Sequence, residues 1–174
     1  MRRDSVRYLI EDKKIRYLQS VGRLLPRRIE QILKELGLTE DSGYRIWINS
    51  KQGNDVDFKV WHRDSLILVG EILNWCIGSW LSEKRKRWIV SNLSQYDSKR
   101  VLIYTIMKRE DLLKDLALHG ISVFKIGYQL LPRLFYDYFA EIDRVIDRRI
   151  DCRETKQDIK SKIADLLNSL LILD

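Results

Sequence analysis

The chain has 174 residues, with 32 Lys+Arg against 25 Asp+Glu and a formal charge of +7; 45% of it is hydrophobic. That apolar share, with a mean hydropathy of −0.31, excludes a disordered chain, and the length suits one domain with a small appendage. Two cysteines (Cys76, Cys152) and two histidines (His62, His119) exclude a disulfide framework, a Cys-rich zinc site and a His-built metal cage, while the basic excess favours a polyanionic partner.

Residues 5–19 read as an irregular basic helix, broken at Gly22. Pro26 suits the first turn of a second helix, where its missing N–H costs nothing. Ile29, Ile32, Leu33 and Leu36 then recur at helical spacing, and Gly37 ends the stripe. Tyr44-Arg45-Ile46-Trp47-Ile48 reads as a strand and Lys51-Gln52-Gly53-Asn54 as a turn. Residues 55–61 alternate, with Val56, Phe58 and Val60 on one face and Asp55, Asp57 and Lys59 on the other. Arg63-Asp64-Ser65 turns the chain into 66–72, an almost continuous apolar run typical of a strand buried on both sides. Residues 44–72 thus form a three-strand antiparallel meander.

A helix capped by Ser82 runs to about Gln95. Residues 101–107 form a strand, 110–118 a short helix and 121–126 a further strand. The last third is helical, with one stripe of Leu134, Phe135, Tyr138, Phe139, Ile142, Val145 and Ile146. A second stripe holds Ile159, Ile163, Leu166, Leu167 and Leu170. These stripes either close over the sheet or pair two copies of the chain in a homodimer. The order implies an α/β fold with a mixed sheet between helices. Residues 1–25 make a basic N-terminal segment, 26–127 the α/β core and 128–174 a helical extension, together one compact domain. The longest apolar stretch, 66–81, contains Glu71 and Asn74 and is too short and polar to span a bilayer. The charged start of the chain is unlike a signal peptide, so a cytoplasmic, intracellular protein is expected.

Glu71 most needs explaining, because it sits in the most apolar strand, and ionised carboxylates are seldom buried without a partner or metal. If its strand pairs with the preceding one, Asp57 and Glu71 converge. Two carboxylates so placed repel, so one holds a proton or a cation lies between them. Oxygen-only ligands suit Mg²⁺ or Mn²⁺. A plainer alternative pairs Glu71 with Lys59 or an arginine, and leaves Asp55 and Asp57 as turn residues.

Asp57, thirteen intervening residues and then Glu71-Ile72-Leu73-Asn74-Trp75 resembles the PD-(D/E)XK nuclease superfamily, whose restriction-endonuclease-like fold has an αβββαβ core. The stretches DVDFKV and LILVGEILNW are similar to that family's acid-bearing hairpin, and the resemblance covers about residues 26–126. It implies that Asp57 and Glu71 ligate a divalent metal for phosphodiester hydrolysis, with Glu30 on the first core helix as a supporting acid. Two departures stand out. No proline precedes the first acid, and the family's lysine two positions after the glutamate is Leu73 here. Lys59, on the Asp57 face, is the candidate replacement for that lysine, and Lys84 a second.

Lys84, Arg85, Lys86 and Arg87 crowd a helix start, against the helix dipole, which suggests phosphate contact. Arg27 and Arg28 add to a basic N-terminal region. Trp47 and Trp61 are expected in sheet packing, whereas Trp75 and Trp80 are free to stack on a base or plug the core. The reading is therefore a Mg²⁺- or Mn²⁺-dependent endo- or exonuclease acting on DNA, with RNA also open. Its main rival is a catalytically inactive nuclease-fold protein that binds nucleic acid or serves in assembly. A third is an unrelated basic interaction module with Glu71 in an ion pair.

Overall fold

A computed structural model describes residues 25–49, 55–75, 80–105, 107, 110–127 and 156–170. Helix α1 spans 25–35, with Pro26 in its first turn. Gly37 ends it at φ +93°, a left-handed conformation that suits glycine. The N–H groups of Gly37 and Leu38 bond back to the carbonyls of Lys34 and Leu33, at 3.1 and 3.0 Å. This is a Schellman cap, and the buried Leu33 and Leu38 side chains provide the apolar contact that accompanies it.

Five strands follow: β1 (Tyr44–Ile48), β2 (Phe58–His62), β3 (Ser65–Leu73), β4 (Lys99–Tyr104) and β5 (Ile121–Lys125). They lie side by side in chain order. β1, β2 and β3 form the expected antiparallel meander. β4 joins β3 in parallel, and β5 joins β4 in parallel. Helix α2 (Glu83–Leu93) makes the first parallel crossover. The second runs through a 3₁₀ turn (Asp111–Leu113) and the short α3 (Lys114–Leu118). The fold is thus α/β, with an open, mixed five-strand sheet between helices.

Two apolar layers sandwich the sheet. On one side α1 and the last helix, α4 (Lys156–Leu170), pack on Phe58, Val60, Leu68, Ile72, Val101 and Ile103. On the other, Ile89 and Leu93 of α2 and Leu116 of α3 pack on Val69, Leu73, Leu102 and Tyr104. The α4 stripe of Ile159, Ile163, Leu166, Leu167 and Leu170 therefore closes over the sheet. Gly70 belongs to the first side for a steric reason. A Cβ there would lie 2.1 Å from Phe58 Cε1 and 2.8 Å from Val101 Cγ1. The missing side chain lets the Phe58 ring cross β3, and so seats the end of β2 beside Glu71.

Several boundaries differ from the sequence reading. β2 begins at Phe58, and the irregular 55–57 segment turns Val56 into the α2 layer, opposite Phe58 and Val60. The alternation over 55–61 therefore fails at its start: the Asp57 carbonyl still accepts the Asn49 N–H at 2.8 Å, but Asp55 and Val56 lie before the paired strand. The register between β2 and β3 also shifts between Val60 and Trp61. This bulge lets Leu66 and Val69, three residues apart, both reach the α2 layer. α2 stops at Leu93, and β4 runs over 99–104 rather than 101–107. The helix over 5–19, the turn at 51–54 and the stripe over 134–146 lie outside the described residues. Among the described residues, no helix is long and apolar enough to cross a membrane.

Candidate functional site

Continuing the β2–β3 register one step beyond Phe58↔Gly70 sets Asp57 opposite Glu71. Glu71 has 0% exposure, between Val69 and Leu73 of the α2 layer. Asp57 is half-buried, and its Oδ2 accepts the Ile72 N–H at 2.7 Å. The two carboxyl groups are near enough for each to act on the titration of the other. Sequence-predicted Asp57 and Glu71 are therefore brought together.

Burial, and then the neighbouring Asp57 charge, push the Glu71 carboxyl up to about 9. Burial also raises Asp57, against the opposing pull of the Ile72 N–H and Arg85. Glu71 Oε1 is buried with no hydrogen-bond partner. Its Oε2 lies 3.5 Å from Nη2 of Arg85, whose side chain is 40% exposed. At that length the bond is marginal and does not offset the loss of water from two carboxyls.

Arg85 reaches the pair because Ser82 caps α2. The Ser82 side chain accepts the Arg85 N–H at 3.2 Å, and the helix starts just beyond the C-terminal end of β3. The guanidinium stacks over the Trp88 ring at 3.9 Å, which orients it. Behind the pair, Thr105 ties down the chain leaving β3. Its Oγ1 accepts the Trp75 N–H at 2.7 Å and lies 3.2 Å from the Leu73 carbonyl.

Lys59 points to the same side as Asp57 but is held elsewhere. Its Nζ lies 2.8 Å from Asp55 Oδ2, over the rings of Tyr96 and Trp47. Tyr96 donates to Asp55 Oδ1 at 2.6 Å, and the Val56 N–H donates to the same atom at 2.8 Å. Burial alone would raise Asp55, yet these three donors together hold it below its ordinary value. The cation beside Glu71 is thus Arg85 and not Lys59. Leu73, at 3% exposure, lies in the apolar layer.

Glu30 is not brought to the pair. It bonds Lys34 at 2.7 Å, on the helix that packs against the opposite sheet face. Arg27 and Arg28 share that helix, Arg28 bonding Gln31 at 2.6 Å. Lys84 and Arg87 are exposed on α2. Lys86 instead bridges Glu83 and Asp115 at 3.1 and 3.0 Å. His62 stacks on Tyr44, and Trp80 is 63% exposed.

The sequence allows an arginine beside Glu71, which Arg85 supplies although it reads there as a phosphate contact; the role of Tyr96 escapes it. The signal for Arg85 was present, in a cation in the first turn of the helix that follows the acid-bearing strand. Nothing local marks Tyr96, which lies 41 residues from Asp55.

Among the described residues no group of three or more His, Cys, Asp or Glu gathers to hold a metal. The donor set on offer is therefore two carboxylates plus water. That set suits Mg²⁺ or Mn²⁺, which commonly take one or two carboxylates and keep several waters. The orphaned Oε1 of Glu71 fits such an ion, whose charge would remove the repulsion within the pair. No family model, curated protein or solved structure matches the chain.

Proposed function

We propose that the chain is a Mg²⁺- or Mn²⁺-dependent hydrolase of DNA phosphodiesters with the PD-(D/E)XK arrangement, Asp57 and Glu71 being the acids. The observation that carries this reading is the buried Glu71 against Asp57 with its Oε1 unpartnered. Folding has placed two mutually repelling acids where a divalent cation would satisfy both. The α1-β1-β2-β3-α2-β4 order supports it, since it follows the αβββαβ order of the nuclease core.

A cation held by Asp57 and Glu71 would supply Lewis acidity toward a phosphate oxygen. The chain's own residues do the remaining work. The Ile72 N–H fixes Asp57 Oδ2 and with it the orientation of the carboxyl. Arg85, half in water at the mouth of the site, offsets charge that grows on the phosphate during attack by water. Exposed Lys84 and Arg87 on the same helix turn contact flanking phosphates. Hydrolysis adds water across one P–O bond, the hydroxyl going to phosphorus and the proton to the leaving oxygen.

Leu73 favours a second reading, a non-catalytic nucleic-acid-binding or assembly protein on the same fold. Its side chain is committed to the core, and Lys59 is committed to Asp55. One experiment separates the two. Labelled duplex, single-stranded and branched DNA are incubated with the protein in Mg²⁺, Mn²⁺ or EDTA, beside folded Asp57→Asn and Glu71→Gln. Cleavage that needs metal and is lost in both variants supports the enzyme. Salt-sensitive binding without cleavage supports the second reading.

A further inference from the structure

The sheet face that carries Asp57 and Glu71 has two halves. Over β3, β4 and β5 it is covered by α2 and α3. Over β1 and β2, no strand residue joins that apolar layer. Tyr44, Ile46 and Ile48 of the edge strand β1 point to the opposite side, against the α1 and α4 core. The alternate residues, Arg45 and Trp47, therefore share a face with their cross-strand partners Trp61 and Lys59. The Arg45 guanidinium lies 4.5 Å from the centre of the Trp61 ring, and Lys59 Nζ lies 5.0 Å from that of Trp47. Trp47 keeps 38% exposure.

We propose that this checkerboard of Trp47, Trp61, Arg45 and Lys59 is a stacking surface for the unpaired bases of single-stranded DNA. Among the described residues Trp47 is the exposed ring of the four, an indole can accept any base by stacking, and the cations beside the rings attract the phosphates between bases. In a duplex the base faces are stacked on one another, so such a surface selects single strands. Lys59 is shared with Asp55, which leaves exposed Arg45 as the main phosphate partner. The placement matters as much as the chemistry. Along β2 the same face runs from Trp61 through Lys59 to Asp57, so a strand laid on the rings leads its backbone to the carboxyl pair. As a statement about substrate this rests on the nuclease reading. As a binding surface it is measured without metal.

The test is fluorescence anisotropy of labelled oligo(dT) and of a blunt duplex of equal length, with the full chain in EDTA. Oligo(dT) is expected to bind more tightly than the duplex. Trp47→Ala is expected to weaken oligo(dT) by about fivefold or more, the span that loss of one base–aromatic stack predicts, and to leave the duplex unchanged. Trp47→Phe, which keeps a ring, should recover most of the loss at the same thermal midpoint as Trp47→Ala. Equal affinity for oligo(dT) and duplex, or oligo(dT) affinity unmoved by Trp47→Ala, overturns the stacking surface. Metal-dependent cutting by a protein whose Trp47→Ala variant binds normally defeats this inference and keeps the nuclease reading. The expected binding pattern without any cutting does the reverse.

Discussion

Asp55 and Glu71 lie on the same side of one sheet and are treated in opposite ways. Asp55 receives Lys59, the Tyr96 hydroxyl and the Val56 N–H, and stays a carboxylate. Glu71 is more deeply buried, faces a second acid, and has one long contact to Arg85. The chain can therefore build a satisfied acid cluster on this face, and at Glu71 it has not done so. A buried acid left short of donors marks a place where the fold holds a group for use rather than for stability.

The contrast can be broken from the Glu71 side. Gly70→Ala drives a methyl into the Phe58 ring, and is expected to cost about 1–3 kcal/mol of stability by overpacking. Because Phe58 seats the end of β2, the same change should also weaken divalent-metal affinity. Unfolding curves and metal titration check the two effects, and unchanged metal affinity in a destabilised variant would separate the glycine from the site.

The next effect is in pH. Asp57, Arg85 and Asp55 are the charged groups acting on Glu71. An ordinary glutamate titrates near 4.5, whereas folded Glu71 holds its proton up to about 9. Between those values the folded state binds a proton that the unfolded chain has released. Without metal, this group's contribution to stability is full below about 4.5 and falls as pH rises toward 9. Glu71→Gln should remove that slope and raise the melting temperature at pH 8, at about 2–4 °C per kcal/mol for a chain of this size. Melting curves across the pH range in EDTA would show it, and an unchanged slope would mean that Glu71 ionises freely.

The smallest effect belongs to the satisfied cluster. Lys59→Met removes the cation of a partly exposed pair and should cost about 1 kcal/mol or less. It should return Asp55 toward its ordinary titration, read by NMR, weaken single-strand binding, and leave the rate of metal-dependent cutting at saturating DNA intact. Loss of cutting in Lys59→Met would restore Lys59 as the replacement lysine and erase the contrast between the two acids.

The sequence made the frame legible because its signals are periodic and local. The α1 stripe with Gly37, the 44–72 meander and the Ser82 cap follow from spacing, and the approach of Asp57 to Glu71 follows from strand pairing. What stayed hidden depends on tertiary placement. Val56 changes sides because strand pairing does not reach back to it. Trp47 reads as sheet packing, but β1 is an edge strand that α2 does not cover. Glu30 reads as a third acid, yet its helix packs on the far face. Arg85 reads as one of four phosphate-contacting cations, whereas the Ser82 cap sets it in the first turn of α2 beside Glu71.

Calorimetric titration of Mn²⁺ into the full chain, with Asp57→Asn and Glu71→Gln in parallel, asks whether the unsatisfied pair is a cation site. The expected result is about one ion per chain, bound through oxygen donors and lost in both folded variants. Saturable binding that survives both substitutions, or no binding to the unaltered protein, would contradict it and leave Glu71 as a buried acid paired with Arg85 alone.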